Sequence, residues 1–278
     1  MSASAGLEFE PSNTERYEMT ILHRDDQDHI ATLTMDAPDR LNALSDEMLA
    51  ALQENLDSIR DDDAVRAVII RGTGKAFCAG HDLKQMQAGR QSPDKGAAYF
   101  ADLFARCAKM MQTIQSLPQP VIAQVHGIAT AAGCQMVATC DLAIATDETR
   151  FGVNGVNIGL FCSTPMVALT RNIPRKAAFE MLTTGRFINT REAQELGLIN
   201  RAVGAGELDE ETRALAETIA VKLPVAVKTG KSAFYNQAQM STADAYAYAG
   251  DVMVENMLDT MTDEGINAFL EKRTPDWS

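Results

Sequence analysis

The sequence predicts an α/β fold, because short apolar runs rich in β-branched residues alternate with amphipathic helical segments. Two runs, Ala67–Arg71 and Val121–Val125, have the length and composition of buried strands, and each is followed by glycines and small residues and then by a segment of helical character. From Glu207 onward the pattern is helical throughout. We therefore expect an α/β core followed by a C-terminal helical subdomain.

The elements before residue 117 follow from local patterns. Two alternating runs predict strands around a polar turn, and Ser45 is a favourable N-cap for an amphipathic helix. The mixed polar segment Gln85–Gly96 predicts a loop over a site, and the apolar residues after it predict a long helix. In order, the elements are strand Met19–His23, turn Arg24–Asp28, strand Ile30–Met35, the helix after Ser45, strand Ala67–Arg71 and helix Ala97–Ser116.

The second half continues with short strands and then helices. A connector rich in glycine and asparagine, Phe151–Gly159, is suited to line a pocket, and prolines precede several helical segments. The expected elements are strand Val121–Val125, helix Cys134–Thr139, strand Leu142–Ala145, helices Pro165–Arg171, Pro174–Thr183 and Thr190–Leu196, strand Ile199–Val203, and helices Glu207–Lys222, Pro224–Gln239, Thr242–Leu258 and Thr262–Lys272. Met253, Met257 and Met261 are expected in a core or a subunit contact.

Composition bounds the class of protein. The 278 residues are 46% hydrophobic, enough for one large domain, and no apolar run has the roughly 18 residues of a membrane helix. The formal net charge of −13 argues against a nucleic-acid surface. The N-terminal segment has acidic residues and one arginine, without the pattern of a signal or transit peptide, so we expect a cytoplasmic protein without a membrane partner.

The five cysteines are an odd number without the paired spacing of a metal site. We expect buried free thiols in a reducing compartment and no bound metal. They are Cys78, Cys107, Cys134, Cys140 and Cys162.

The turns after the two buried strands predict backbone N–H groups directed at a shared site. The first N–H groups of a helix have no intrahelical acceptor and attract negative charge, and small side chains let a ligand approach the backbone. One N–H from each turn could hold a single carbonyl oxygen, which is the geometry of an oxyanion hole. Either turn alone is equally consistent with simple tight packing.

The residues of these turns carry a family resemblance. FCAGHDLK (Phe77–Lys84) and HGIATAAGCQMVATCDLAIA (His126–Ala145) together resemble the paired signature of the enoyl-CoA hydratase/isomerase, or crotonase, family. The resemblance extends from about Ile30 to Arg273, and the segments GVNIGLFCSTP and PRKAAFEML resemble one branch of the family in particular.

The resemblance implies a crotonase-like (ClpP/crotonase) spiral of repeated ββα units with a C-terminal helical subdomain. The corresponding divisions are a flexible N-terminus at 1–18, a spiral core with the CoA site at 19–203 and a helical oligomerisation subdomain at 204–278. It also implies self-association as a homotrimer or hexamer.

The resemblance further implies an acyl-CoA thioester as the ligand, with coenzyme A as part of the substrate and no separate cofactor. The backbone N–H groups of His81 and Ala132 would hold the thioester oxygen, and for His81 this backbone role is favoured over imidazole chemistry. The residues expected to contact CoA are Arg40, Ala79, His81, Asp82, Leu83, Lys84, Ala132 and Lys272.

The chain departs from the family at the two glutamates that activate water in enoyl-CoA hydratases. Gln135 stands at the first glutamate position and Gly155 at the second, and neither can accept a proton. The loss of one acid–base group typically costs ~10²–10⁴-fold in rate. The family also more often has glycine where this chain has Ala131 and Ala132. Ordinary hydration is therefore not expected to be efficient.

Three functions remain open. One is an acyl-CoA enzyme that uses the oxyanion hole with other groups, such as an isomerase, a hydrolase or a decarboxylase-like member. The second is the nominal enoyl-CoA hydratase, a lyase of fatty-acid metabolism. The third is a catalytically silent acyl-CoA-binding or regulatory oligomer. Of the remaining polar residues, Asp141 is expected to have a structural role, and Cys162 to be an inert thiol rather than a nucleophile.

Overall fold

The computed structural model describes residues 20–277, so the segment predicted to be a flexible N-terminus, 1–18, lies outside the described residues. Nine strands in these residues form two sheets. They are β1 (Leu22–Gln27), β2 (Ile30–Met35), β3 (Ala67–Gly72), β4 (Val121–Val125), β5 (Ile128–Thr130), β6 (Leu142–Thr146), β7 (Arg150–Gly152), β8 (Phe187–Asn189) and β9 (Arg201–Val203).

The larger sheet has the order β1-β2-β3-β4-β6-β9. Strand β1 pairs antiparallel with β2, and all later neighbours pair in parallel, which requires crossover connections and explains the helices between them. Strands β5, β7 and β8 form the smaller sheet. The central strands β3 and β4 are buried along most or all of their length, as expected for parallel strands covered on both faces.

Eleven α-helices lie within the described residues: α1 (Asp46–Arg60), α2 (Leu83–Gly89), α3 (Ala97–Ser116), α4 (Ala132–Thr139), α5 (Ser163–Asn172), α6 (Arg175–Thr184), α7 (Thr190–Glu195), α8 (Leu208–Ala220), α9 (Pro224–Gln237), α10 (Thr242–Met257) and α11 (Thr260–Glu271). Short 3-10 helices occupy Pro38–Arg40 and Asn154–Ile158. None of these helices is both long and apolar enough to cross a membrane.

The helices pack in two layers around the large sheet. Helices α1 and α3 contact each other, and the main core includes apolar residues of both. Helix α8 covers the sheet through a second core cluster, in which Ala216 and Ala220 pack with Ile30, Ile69 and Ile122. The α/β architecture with a helical C-terminal region confirms the predicted fold class.

The polar turn predicted at Arg24–Asp28 is wrong, because β1 continues to Gln27. The turn consists of Asp28 and His29, which both have positive φ angles (49° and 65°), the backbone of a two-residue hairpin. Strand β1 is an edge strand with mostly exposed residues, so its polar sequence is compatible with a strand.

The loop predicted at Gln85–Gly96 is also wrong in its first part, which forms α2. The Asp82 carboxylate accepts hydrogen bonds from the backbone N–H groups of Lys84 (2.8 Å) and Gln85 (3.2 Å) and so caps this helix. Helix α2 buries no residue completely, so its sequence lacks the apolar periodicity that would have predicted it. The sequence analysis predicts none of the three-residue strands β5, β7 and β8, which together form the smaller sheet.

Residue Asp141 has the structural role expected of it. Its carboxylate accepts hydrogen bonds from the Val121 backbone N–H (2.7 Å), the Tyr235 hydroxyl (2.8 Å) and the Lys231 ammonium (2.6 Å). The Lys231 side chain is buried, and it also donates to the carbonyls of Ile114 and Gln119. Burial lowers the pKa of Lys231, and the carboxylate beside it acts in the opposite direction. This buried ion pair fastens α9 to the core.

Two backbone segments, 75–81 and 126–133, lie in direct contact. The Thr130 N–H donates to the Cys78 carbonyl (3.0 Å), and the Cys78 N–H donates to the Ile128 carbonyl (3.2 Å). A Cβ atom at Gly133 would lie 2.1 Å from the Cys78 oxygen. Only glycine permits this approach at position 133, and the approach sets where α4 begins relative to the first segment.

We expect Gly133→Ala to lower the free energy of unfolding by about 3 kcal/mol, because the new methyl group would overlap a backbone oxygen that cannot rotate away. Gly230→Ala is the matched control, since a Cβ there has no neighbour within 4 Å. In α9 that replacement should raise stability by about 1 kcal/mol. Urea unfolding of both variants measures the difference, and equal stabilities would contradict the close approach.

Candidate functional site

Two backbone N–H groups without an acceptor meet where α4 begins. Ala132 is the first residue of α4, and His81 follows Gly80 in the segment that contacts it. Neither N–H donates a hydrogen bond to any residue in the range 20–277. A Cβ atom at Gly80 would lie 3.1 Å from the Ala132 nitrogen, so the two segments adjoin at this point. Two free donors on adjoining segments are suited to bind one oxygen atom.

The residue before Ala132 has a strained backbone. Ala131 has φ 51° and ψ −120°, a conformation that L residues with a side chain rarely adopt. Its N–H donates to the Gly152 carbonyl (2.9 Å), and its carbonyl accepts from the Gln135 N–H (3.0 Å), so bonds on both sides fix it. Such a conformation costs about 1–3 kcal/mol and exposes the next N–H to the site.

A small apolar cavity of about 180 Å³ opens at these N–H groups. A second cavity of about 360 Å³ lies beside it, and Phe104 and Leu160 belong to the walls of both. The walls of the first are His81, Phe104, Ala131, Ala132, Leu160, Phe161, Cys162, Ser163, Thr164 and Pro165. The second is lined by Leu83, Met86, Gln87, Arg90, Phe100, Phe104, Ile158, Gly159 and Leu160. Together they could hold an apolar chain next to the two donors.

His81 is one of the residues that line the first cavity. Its ring packs edge-on against Phe104, with 5.7 Å between centroids. Both ring nitrogens are buried, and neither has a hydrogen-bond partner in residues 20–277. Burial lowers the pKa of His81; the Leu44 backbone acts in the opposite direction but does not reach the ring nitrogens with hydrogen-bond geometry.

Gln135, which the family resemblance predicts at the first glutamate position, lies in the first turn of α4 and is buried. Its Oε1 atom has no hydrogen-bond partner among the described residues. Its side chain is a neutral amide, so the position supplies no proton acceptor near neutral pH.

Gly155, which the family resemblance predicts at the second glutamate position, has no space for a side chain. A Cβ there would lie 2.3 Å from the Leu160 oxygen and 2.9 Å from the Cys162 sulfur. The Leu160 N–H also donates to the Gly155 carbonyl (2.9 Å), which closes the loop on itself. The chain that follows Gly155 therefore occupies the volume that a glutamate side chain would need.

The cysteines are free and buried, as predicted. Burial raises the pKa of Cys78, Cys107 and Cys134 to about 12. Burial also raises the pKa of Cys162, the thiol in the cavity wall, and the Gly155 backbone acts in the opposite direction. A thiol that stays protonated at neutral pH is a poor nucleophile.

Most residues expected to contact CoA lie near one another. Arg40 and Asp82 approach to 3.9 Å between Nη1 and Oδ2, and Asp82 caps the helix that carries Leu83 and Lys84. The Ala79 N–H donates to the Leu41 carbonyl (3.0 Å), which holds the segment against the Arg40 loop. The exposed Arg40 and Lys84 provide local positive charge on an acidic protein.

The structure does not bring Lys272 to these residues within one chain. Lys272 follows α11, whose helix contacts are concentrated on α10, and it shares no hydrogen bond or ion pair with Arg40 or Lys84. For Lys272 to contact the same CoA as the other predicted residues, it would have to come from a second copy of the chain.

Several cavity walls were not predicted. The sequence predicts Phe100 and Phe104 only as part of the helix Ala97–Ser116, although their four-residue spacing places both on one face of α3. Leu160 and Phe161 lie in an irregular connector, for which periodicity gives no signal. Among residues 20–277, no cluster of three or more histidine, cysteine or acidic residues could hold a metal ion.

A sequence model of the enoyl-CoA hydratase/isomerase family matches residues 25–278. The chain belongs to this family, and the crotonase-like fold that its two signature segments predicted is confirmed. The predicted resemblance to one branch is confirmed as well. The mitochondrial enoyl-CoA hydratase domain-containing protein 3 of Xenopus laevis is 42% identical over 96% of this chain and 88% of its own length, and the human one 43% over 90% and 81%.

Solved structures agree with this assignment. An enoyl-CoA hydratase of Mycobacterium smegmatis is 53% identical and superposes with a TM-score of 0.89 over 92% of this chain and 98% of its own. Human enoyl-CoA hydratase domain-containing protein 3 is 42% identical, with a TM-score of 0.88 over 92% and 100%. The predicted cytoplasmic location is wrong by this comparison, because the related proteins of this branch are named as mitochondrial.

We expect Ala131→Gly to raise the free energy of unfolding by about 1 kcal/mol, since relief of the positive φ outweighs the greater chain entropy of glycine. The reverse change at Gly159, where φ is 77° and a Cβ has no neighbour within 4 Å, should lower it by about 1 kcal/mol. Chemical denaturation of both variants provides the measurement. A destabilised Ala131→Gly variant would show that the methyl group contributes more by packing than it costs in strain.

Proposed function

We propose that this protein acts on a CoA thioester by stabilising negative charge on the thioester oxygen through the backbone N–H groups of His81 and Ala132. The observation that carries the proposal is the pair of N–H groups without acceptors on adjoining segments beside an apolar cavity. One such donor, fixed before the reaction, contributes about 3 kcal/mol to the transition state. The apolar cavity beside the donors would take the acyl chain.

The CoA moiety would bind along Ala79–Lys84, with Arg40 and Lys84 near its phosphates. Support comes from the clustering of these residues around the capped N-terminus of α2 and from their exposure. A polyanionic ligand needs such local positive charge on a chain whose net charge is −13. No metal or further cofactor takes part in this proposal.

Efficient hydration is not part of the proposed function. The amide of Gln135 cannot accept a proton, and Gly155 offers no side chain and no room for one. The two backbone donors are consistent with reactions that place negative charge on the thioester oxygen, as in an enolate or a tetrahedral intermediate. Isomerisation, hydrolysis and decarboxylation of an acyl-CoA are the candidates within this class.

The first experiment follows crotonyl-CoA by the loss of its conjugated absorbance at high enzyme concentration, with butyryl-CoA binding measured by calorimetry. We expect butyryl-CoA to bind and crotonyl-CoA hydration to stay at least ~10²-fold below that of an enoyl-CoA hydratase assayed in parallel. Gln135→Glu should not restore hydration, because the position of Gly155 still lacks its carboxylate. Rapid hydration by the wild-type chain would contradict the assignment of these two positions.

A second candidate is a catalytically silent acyl-CoA-binding oligomer. It is favoured because no space remains for a side chain at Gly155. Backbone and sulfur atoms fill the place where the family's catalytic side chain would stand. Such a protein would bind butyryl-CoA without turning over any thioester in a panel that includes saturated, α,β-unsaturated and β,γ-unsaturated chains.

We also propose that the C-terminal helices mediate self-association as a trimer or hexamer. Large apolar side chains on α10, on α11 and at the junction between them are exposed in the single chain, among them Tyr246 (80%), Leu258 (79%), Phe269 (82%) and Leu270 (72%). Monomeric proteins rarely leave so many neighbouring apolar groups in water. A neighbouring copy would cover them and could bring its own Lys272 to a CoA site.

We expect the wild-type chain to sediment as a trimer or hexamer and Phe269→Glu to shift it toward the monomer, because the new carboxylate would be buried without a partner at the contact. Sedimentation velocity at several concentrations measures both. A wild-type chain that stays monomeric at high concentration would refute self-association.

A further inference from the structure

The second cavity, of about 360 Å³, has one charged side chain in its wall. Of the nine described residues that line it, eight are uncharged, and the ninth is Arg90 at the C-terminal end of α2. Among the described residues that line either cavity, none is acidic. A cation on an otherwise uncharged and largely apolar wall favours a ligand that brings a negative charge to that point.

One face of α2 changes from apolar to polar along this cavity. Four residues of the helix and its C-cap have the spacing i, i+3, i+4 and i+7, which places side chains on one face of a helix, and all of them line the second cavity. They are Leu83, Met86, Gln87 and Arg90. The apolar pair comes first, at the end of α2 next to His81 in the sequence, and the polar pair comes last. An acyl chain that extends from the backbone donors along α2 would therefore meet apolar side chains first and an amide and a guanidinium afterwards.

The guanidinium of Arg90 has no acidic partner. Within residues 20–277 it shares no hydrogen bond or ion pair with a carboxylate, and its Cζ atom lies 5.7 Å from the centroid of the Phe100 ring, which is itself part of the cavity wall. By contrast, Arg106 on the neighbouring helix α3 pairs with both Asp46 and Asp102. Arg90 is exposed on a chain with a net charge of −13, so its unpaired cation is available to an anionic ligand.

The backbone that carries Arg90 is held in place. A Cβ atom at Gly89 would lie 2.4 Å from Cδ1 of Tyr99, so the end of α2 packs closely against the first turn of α3. The Arg90 N–H donates to the Met86 carbonyl (3.1 Å), and the Ser92 N–H donates to the Gly89 carbonyl (3.1 Å). The position of Arg90 at the cavity is therefore fixed by packing and by hydrogen bonds, while its side chain is open to a ligand.

We propose that the acyl group of the substrate carries a second carboxylate at its far end and that the guanidinium of Arg90 binds this carboxylate. The inference rests on the proposed function, in which two backbone N–H groups hold the thioester oxygen and the apolar cavity takes the acyl chain. It adds the substrate class, a dicarboxylic acyl-CoA in place of a simple fatty acyl-CoA. A guanidinium can donate two parallel hydrogen bonds to a carboxylate, and the Gln87 amide on the same face of α2 offers a further donor.

The position of Arg90 also indicates the length of the acyl chain. Between Leu83 and Arg90 the helix rises by about 10 Å, of which the long arginine side chain can cover a part. The two cavities share Phe104 and Leu160, so a chain that starts at the donors of the first cavity reaches the second beside these two side chains. An acyl chain of about six to eight carbons spans this distance, whereas a much shorter one would leave its carboxylate short of Arg90.

The test measures by calorimetry the binding of adipyl-CoA and hexanoyl-CoA, whose acyl groups have equal numbers of carbons and differ only in the terminal carboxylate. We expect wild type to bind adipyl-CoA at least as tightly as hexanoyl-CoA. Arg90→Gln should weaken adipyl-CoA by about 10-fold and hexanoyl-CoA by less than about threefold, because only the carboxylate loses its cation. The matched control Arg175→Gln removes the same charge from an exposed arginine of α6 that lines neither cavity, and it should leave both affinities unchanged.

The outcomes separate this inference from the proposed function. If wild type binds hexanoyl-CoA or butyryl-CoA but not adipyl-CoA, or if Arg90→Gln binds adipyl-CoA as tightly as wild type does, the second carboxylate is refuted and the proposed function stands. If Arg90→Gln weakens both ligands equally, Arg90 contacts the CoA moiety and the inference is refuted as well. If wild type binds none of the three thioesters, the proposed function itself fails. A steeper loss of affinity with added salt for adipyl-CoA than for hexanoyl-CoA would support the ion pair with Arg90.

Discussion

The close contact between two backbone segments, 75–81 and 126–133, is the constraint on which the site depends. Glycine makes this contact possible at two points, because a Cβ atom at Gly127 or Gly133 would come within 2.1 Å of a backbone oxygen of the other segment. The segments come from different strand–helix connections, and neither alone could present two donors to one atom. The contact turns two ordinary helix-preceding turns into one site, and the strained backbone of Ala131 directs the second donor into it.

The candidate site has two free N–H donors, and the two residues that the family resemblance predicts at glutamate positions differ from glutamate in different ways. At position 135 the replacement is chemical, because an amide of similar shape stands where a carboxylate would. At position 155 the difference is also steric, because Leu160 and Cys162 fill the space that a side chain on Gly155 would need. Restoring one side chain would not rebuild the missing pair of acids.

Much of the fold could be predicted from the sequence, because Ala97–Ser116 and Val121–Val125 carry strong local patterns, and the structure reproduces both ranges without change. Elements without a buried face are not predicted: α2 depends on the Asp82 cap rather than on apolar periodicity, and the polar residues of strand β1 resemble those of a turn. The paired donors followed from the two signature segments.

The cavity was harder to predict, because its walls combine residues distant in sequence. Phe104 lies in a helix and Leu160 in an irregular connector, and only the tertiary structure shows that they share two cavities. The isolation of the His81 ring was not accessible from the sequence either, since it depends on the absence of partners around it. The sequence pattern gives no indication that the related proteins are named as mitochondrial.

The buried pair of Lys231 and Asp141 has a consequence for any attempt to divide the chain. Asp141 lies two residues beyond the end of α4, the helix that begins at the second donor, and Lys231 also binds the Ile114 carbonyl in the last turns of α3, which carries Phe104. A fragment that ends at residue 203 would keep the cavity walls but lose the cation that neutralises Asp141 and the helix that covers Ile69 and Ile122. The geometry of the candidate site is thus held in place partly by a segment remote from it in sequence, and the C-terminal helices stabilise the interior as well as presenting an outward-facing surface.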